Sequence, residues 1–521
     1  MRLRRGSGRA PGLQPAEIHQ AVFQERAAAM SERIIVVGAG IAGLSTALAL
    51  QDSGHQVTLL DRDPPPPAGS PDEAFEDWDH GGVPQLRHSH VFLARLYNLL
   101  RDRYPEVRRR LLEAGARELT FEGGLPATLR AQYVPEPVDA DFTILSSRRT
   151  TLELVLRRYV EECTSVELKP ATRVESLLTE AGTPLRVTGV RAIGPEGEAI
   201  DMPADLVVDA GGRRTTFPRE LRALGVRIEE EEEDCGILYY TRHYRLRPGM
   251  TEPPPGIHPG GGDLGYVKYG IFPADNGWYS ITLATPTPEA EMRRALVEAD
   301  AFQHMCMRMP AVAAWVDPER AEPVSRVFGM GGLQNRYRHF VFDGKPSVLG
   351  FLPVGDACLH GNPLYGRGCS QGALHAHVLA DAVREHTDPA ARAVAFAEAT
   401  KRELRPFYEA GRSQDRTNLA RALRSYNGDT SPRPLKSRIA KSFIEDAVVP
   451  ATRGDLYVLR QLSLGFHMLE SPSLAFKRPK VMARILWYWL RGKKRNAPLA
   501  IPPLGPKRAE IFAELGIEPA T

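Results

Sequence analysis

The chain of 521 residues has little cysteine: Cys163, Cys235, Cys306, Cys358 and Cys369 are scattered, with no C-x-x-C pair. That excludes a disulfide framework and a zinc site built on paired cysteines, and it fits a reducing cytoplasm. No apolar run is long enough to span a bilayer. Neither sign of charge is in large excess. The net charge of +3 gives no reason to expect nucleic acid or another polyanion as a partner. The first 29 residues open MRLRRGSGRAPG and lack the apolar core of a secretory signal. They read as a disordered basic leader, or as sequence upstream of a true start at Met30, the favoured alternative. What remains is a globular composition, 42% hydrophobic and 25% charged, in a chain long enough for two or three structural units.

The stretch Ile34 to Asp61, IIVVGAGIAGLSTALALQDSGHQVTLLD, organises the rest. Ile34 to Val37 is a β-branched run, as in a strand buried on both faces of a parallel sheet. Gly38, Gly40 and Gly43 have the G-x-G-x-x-G spacing where strand gives way to helix. The first glycine permits the tight turn, the second lets a pyrophosphate approach the backbone, and the third lets helix and strand pack closely. Ala42 to Gln51 reads as the helix, with Gly54 as its stop. His55 to Leu60 is the second strand. Asp61 ends it about twenty residues past the glycines, where a carboxylate accepts from ribose hydroxyls. Arg62 follows it as a further candidate. The helix N-terminus would hold the diphosphate with its free N–H groups and dipole. These features point to dinucleotide binding without separating FAD from NAD.

Pro64 to Pro67 is a stiff run leading out of this unit. Gly81 to Leu100 (GGVPQLRHSHVFLARLYNLL) crowds Gln85, Arg87, His88 and His90 before an apolar helical pattern. No further ligands at metal spacing accompany the two histidines, so they read as loop or helix caps and no metal is expected. Arg148 and Arg149 precede TLELVLRRYVEE, an amphipathic helical pattern with Leu152, Val155 or Leu156, and Tyr159 on one face. Thr183 to Asp209 alternates β runs with turns and ends in a buried strand that opens into a glycine-rich turn. Glu229 to Asp234 is acidic and reads as a solvated strand lead-in or loop. Gly265 to Ala284 reads as a hairpin around Asp275-Asn276-Gly277. Ser347 to Ala382 places Gly355-Asp356 after an apolar strand, then a loop with Pro363, Gly366 and Gly368, then a long helix from about Cys369. Beyond Thr400 the pattern is mostly helical.

The set GAGIAG, LVVDAGGR and PVGDA…NPLYGRG resembles the FAD-dependent monooxygenase superfamily of aromatic hydroxylases and epoxidases, from about residue 33 to 385. The sequence is most similar to bacterial members with G-V-P-Q-x-x-H-x-H, here Gly82 to His90. The resemblance makes Gln85, His88 and His90 flavin-domain residues. It makes Arg149 the arginine that reaches FAD, with Arg148 as the fallback. It assigns Asp356 to the ribityl hydroxyls, which FAD has and NAD lacks, and Asp209 with its turn to the pyrophosphate. Gly366 and Gly368 would present N–H groups to the N1 edge of the flavin, where the following helix stabilises the reduced anion as an oxyanion hole would. Where D-G is typical, this chain has Asp209-Ala210. That leaves two electron routes open, direct reduction by NAD(P)H or delivery by a partner flavin reductase. Cys358 and Cys369 read as small core fillers.

The resemblance implies an α/β fold: a Rossmann-type FAD-binding domain with a parallel sheet, a mainly antiparallel substrate domain and a helical C-terminal region. The expected boundaries are 30–80, 142–217 and 345–395 for the FAD domain. They are 81–141 and 218–344 for the substrate domain, and 396–521 for the C-terminal region. The implied function is insertion of one oxygen from O2 into an apolar substrate, by hydroxylation or epoxidation through a flavin hydroperoxide. No catalytic side chain is named by it. A prenyl-chain reductase is the first alternative. Tyr269-Gly270-Ile271-Phe272-Pro273 matches Y-x-W-x-F-P except for the Trp, and the following G-x-G is missing. A flavin halogenase would carry W-x-W-x-I-P in the flavin domain, but Trp487-Tyr488-Trp489 lies at the wrong end. A flavin-binding protein without catalysis is a further alternative. Residues 477–495 combine basic residues with an aromatic run and contain no acid. They read as a helix packed on the substrate domain or as a peripheral contact with an anionic membrane.

Overall fold

A computed structural model describes residues 31–518; the expected leader and Met30 lie outside them. β1 (Arg33–Val37), α1 (Ile41–Leu50) and β2 (Gln56–Leu60) form the βαβ unit at the expected place. α2 (Arg149–Cys163) leads into β3 (Glu167–Lys169), and β4 (Leu206–Asp209) and β5 (Phe351–Pro353) complete a parallel sheet in the order β5-β4-β1-β2-β3. Ile34 stands opposite both Val57 and Leu206. The two-residue period of β1 decides the layering. Ile34 and Val36 enter the core beneath α1 and α3 (Gly368–Glu385), while Ile35 enters the opposite core. That second core is roofed by the antiparallel strands Arg173–Glu180, Leu185–Ile193 and Ala199–Pro203. α1 and α3 pack closely because small residues meet: a Cβ on Gly372 would lie 3.5 Å from that of Ala42.

A second, antiparallel sheet contains Gly261–Asp263, Lys268–Pro273, Trp278–Pro286, Ile237–Leu246 and Ala321–Pro323 in that order, with Phe328–Met330 also pairing Ile237–Leu246. Alternation again sets its faces. Tyr240, Tyr244, Ile281 and Leu283 pack under Ala299–Met307 and Arg508–Glu514, and Thr241 and Thr282 face the other way. The expected hairpin closes through Asn276 and Gly277, both at positive φ (54° and 75°), with Trp278 N–H donating to Asp275 C=O at 2.9 Å. This is the primed turn that such a pair favours. C-terminal to α3, the chain forms Pro389–Glu403, α4 (Arg405–Tyr426), Leu435–Phe443, α5 (Leu456–Phe466) and α6 (Pro479–Arg491).

Four differences from the sequence reading have physical causes. Ala94–Arg103 and Pro105–Glu113 bury Leu96, Leu100, Val107 and Leu111 with Ile34 and Leu44, so these helices belong to the nucleotide core rather than the substrate side. An apolar stripe fixes which face is buried and leaves its partner open. α2 is buried on every side over residues 149–157, and its charged groups form ion pairs inside the protein, Arg149 with Glu153 and Arg157 with Asp61. Glu229–Asp234 is a full strand against Gln334–His339, and its carboxylates meet Arg222, Arg338, Arg412 and Arg416. α6 packs on α5 and on residues 444–448 rather than on the substrate sheet.

Candidate cofactor and substrate cavity

A cavity of about 870 Å³ lies between the two sheets. Its nucleotide end is built from strand ends and helix starts. Gly38, at φ +103°, closes the β1–α1 turn against the loop after β4; a Cβ there would lie 2.7 Å from the Ala210 carbonyl oxygen. Gly40 is the N-cap of α1 and borders the cavity. Gly43 does not border it. Its Cβ would lie 1.7 Å from the Gly38 carbonyl oxygen, so it serves helix–strand packing. α1 and α3 both start at this cavity without a side-chain cap and without an acid in the first turn. Two bare helix N-termini converge on one space, which suits an anionic ligand.

Asp61, Arg62, Gln85, His88, Arg149, Gly355, Asp356, Pro363, Gly366 and Gly368 all line the same cavity, although they come from five separate stretches of chain. Gly366 is at φ +65°, and a Cβ there would press on Val91. At Gly368 a Cβ would meet nothing within 4 Å, so this position is open to the cavity. Asp356 sits in the short turn after β5, with His360 Nε2 at 3.9 Å. Asp61 is buried and takes the Arg157 guanidinium at 2.6 Å. Sequence reasoning missed Arg157; its position four residues after Glu153 on α2 was the available signal. Asp209 departs from expectation. It lies fully buried behind the turn, accepting from Gly211 N–H (2.9 Å) and the Thr215 hydroxyl (2.8 Å), and burial pushes it up to about 6. The backbone it shapes, Ala210 to Gly212, is what borders the cavity. Arg148, the fallback for Arg149, points away. It is buried against Asp275 and Asp72 and stacks over Trp278.

A buried chain of polar and charged groups runs along the cavity wall, which His80, Arg149 and His90 border. His80 lies 2.7 Å from Asp63 and 3.3 Å from Glu153; Glu153 takes Arg149 at 2.8 Å, and Arg149 donates to His90 Nε2 at 3.2 Å. Burial disfavours charge on His80, but Asp63 and Glu153 on either side outweigh it and raise the imidazole to about 9. Burial likewise opposes ionisation of Glu153, and Arg149 and His80 overcome it, down to about 2. Burial, reinforced by Arg149, holds His90 neutral at about 3. Since Arg149 donates to its Nε2, its proton sits on Nδ1, which faces the His88 carbonyl at 2.9 Å. Asp61, Asp63 and His80 cluster as metal ligands would. Within the protein these groups already have partners: Arg157 on Asp61, and His80 between Asp63 and Glu153.

The substrate end is lined by Tyr239, Tyr269, Ile271, Phe272, Met330 and Leu333. A row of hydroxyls crosses it: His88 Nδ1 meets Thr241 (3.1 Å), then Thr282 (2.8 Å), Ser89 (2.7 Å) and Ser280 (2.7 Å). Lys268, the lysine of the lining, is paired with Asp263, and burial lowers its affinity for its proton. The loop before α3 is held from outside. Asp415 of α4 accepts from Asn335 (2.7 Å), Asn362 (2.8 Å) and Tyr365 (2.6 Å). No spacing rule connects Asp415 to that loop, so sequence reasoning missed it. Cys358 and Cys369 are buried thiols, pushed up to about 12 and about 11 by burial.

Residues 33–136 match the family described as FAD dependent oxidoreductase. That segment is therefore an FAD-dependent oxidoreductase domain, and the chain as a whole has the fold of solved flavin monooxygenases and halogenases. Protein Rv3254 of Mycobacterium tuberculosis is 28% identical to this chain over 375 residues, which is 68% of this chain and 73% of that protein. PqsL, a probable FAD-dependent monooxygenase from Pseudomonas aeruginosa, shares the fold at 18% identity and a TM-score of 0.51, covering 75% of this chain and 99% of that one. CmlS, a flavin-dependent halogenase, does so at 18% identity and a TM-score of 0.54, covering 83% and 73%. The cavity fits FAD, the cofactor named by the matched family: uncapped helix starts suit its anionic groups, and Asp61 and Asp356 both border the same space.

Proposed function

We propose that the protein is an FAD-dependent monooxygenase acting on an apolar organic substrate, with O2 as the second substrate and NAD(P)H or a partner flavin reductase as the electron source. The observation that carries this reading is the continuity of the cavity. The glycine turn, Asp61 and Asp356 lie at one end, and Tyr239, Tyr269, Ile271 and Met330 at the other, with no wall between. FAD, when bound, supplies the redox and oxygen-transfer chemistry. The chain's own residues have defined tasks. Gly38, Gly40, Asp61 and Arg62 hold the adenosine diphosphate half, Asp356 the ribityl chain, and Gly366, Gly368 and the start of α3 the flavin ring. Arg149, fixed by Glu153, and the neutral His88 and His90 set the polarity of the adjoining wall. The apolar sheet face orients the substrate and excludes water.

The test is a substrate screen with the purified yellow protein under 18O2. One 18O atom in the product, with matching consumption of NAD(P)H, is the expected result. A second reading, a reductase of prenyl-type double bonds, is favoured by one observation: Tyr269 to Pro273 all line the cavity. Saturation of a double bond without O2 uptake would establish it and overturn the monooxygenase reading.

A further inference from the structure

No helix among the described residues is long and apolar enough to cross a membrane, yet α6 carries an apolar row that the protein does not cover. Val481, Ile485 and Tyr488 bury one side of the helix against α5 and residues 444–448. Ala483, Leu486, Trp487 and Leu490 follow the i, i+3, i+4, i+7 spacing on another side. Trp487 is 54% exposed and Leu490 85%. The segment from Ser471 to Ala509 contains no acid. Arg478, Arg484 and Lys493 are paired with Glu470, Asp455 and Asp446. Lys477, Lys480, Arg491, Lys494 and Arg495 have no carboxylate partner among the described residues. Arg491 lies over the Trp487 ring, 5.2 Å from its centroid.

A second helix of the same character lies alongside. Leu435–Phe443 exposes Leu435 and Ile439, four residues apart, among Lys436, Arg438 and Lys441. It is tied to α6 by the edge-on contact of Phe443 with Trp489 (5.8 Å) and by the bond from Trp489 Nε1 to Ser442 (3.1 Å).

We propose that this surface docks on an anionic lipid bilayer, with α6 lying in the interface. An exposed Trp and Leu row flanked by cations of a single sign is what the headgroup region accommodates: apolar side chains enter the acyl boundary while lysine and arginine meet lipid phosphates. Charge also decides against a second copy of this chain. A two-fold contact would set the same cationic flank against itself. α5, on which α6 packs, ends at Phe466, which is 55% exposed and also belongs to the cavity wall. Surface and cavity therefore share one helix. Docking depends on α6 and its charge, whichever reaction the cavity performs.

The experiment is flotation of the full-length, FAD-loaded protein with vesicles of phosphatidylcholine, with and without phosphatidylglycerol. Capture only by the phosphatidylglycerol vesicles, declining as salt is added, is expected. Trp487→Ala and Leu490→Gln should each lower the partition by roughly tenfold while leaving flavin content and melting temperature unchanged, since both side chains are exposed. Reversing Lys494 and Arg495 to Glu should abolish capture. Equal capture by both vesicle types, or capture indifferent to these variants, overturns the proposal. So does a lipid-free dimer that the variants dissociate, or capture seen only after residues 1–29 are removed.

Discussion

Replacing Asp356 with Ala tests the cofactor placement with the least disturbance of the protein. The side chain lies in the short turn Gly355–Ala357 after β5 and borders the cavity, about a third exposed. Its nearest basic neighbour, His360 Nε2, is 3.9 Å away, beyond hydrogen-bond reach. Removing the carboxylate therefore breaks no internal pairing, and the fold should keep its stability. The loss should fall on the ligand. A charge-assisted hydrogen bond contributes about 1.5–3 kcal/mol, which is roughly tenfold to 150-fold in affinity. The assay has two parts. The ratio of flavin to protein absorbance after gel filtration reads retention, and quenching of FAD fluorescence on titration into the stripped protein reads affinity. Thermal unfolding of the same sample reports the fold. A variant that melts as the parent does but loses its colour meets the expectation. Stoichiometric FAD at unchanged affinity would refute the assignment of Asp356 to the ribityl chain.

Asp61→Ala should behave differently, since it leaves Arg157 buried without its main partner. A destabilisation of about 3 kcal/mol in denaturant melts is expected, and a fully stable variant would contradict the pairing. Gly368→Val should fold and melt normally, because a side chain there meets only open space. The bound flavin should become harder to reduce as the N–H groups at the start of α3 are crowded away; an unchanged midpoint potential would remove that helix start from the flavin. Stability should also fall steeply in acid. Burial holds His88, His243 and His467 at about 4 and His90 and His375 at about 3. Their contribution is complete above pH 6.5 and is lost as pH falls through those values, each adding about 1.4 kcal/mol per pH unit to the slope. His80, raised to about 9, has the opposite sign: its contribution is complete below 6.5 and disappears as pH climbs through 9. Melting temperatures of the stripped protein should peak near neutrality with the steeper flank on the acid side, and a flat profile between pH 4 and 6.5 would refute this.

The glycine turn, the two strands beside it, the hairpin at Asn276-Gly277 and the long helix from Gly368 were legible in the amino-acid order. Each rests on local physics: positive φ at a turn, the period of a strand, and the closeness that only a missing Cβ allows. The same locality made the stretches of the cavity lining recognisable one by one. Tertiary structure decided which of their side chains share a space. It turned Arg149 inward and Arg148 toward Asp275, although both are adjacent arginines at the start of one helix. It withdrew Asp209 behind its own turn. It supplied Arg157 to Asp61, and Asp415 to the loop before α3 from a helix that no motif marks. Burial and charge pairing depend on distances between segments far apart in the chain, and those distances exist only once the two sheets and the C-terminal helices have packed. Composition could show that α6 is basic and aromatic. Only the packing of Val481, Ile485 and Tyr488 against α5 and residues 444–448 determined that Trp487 and Leu490 would be left facing outward.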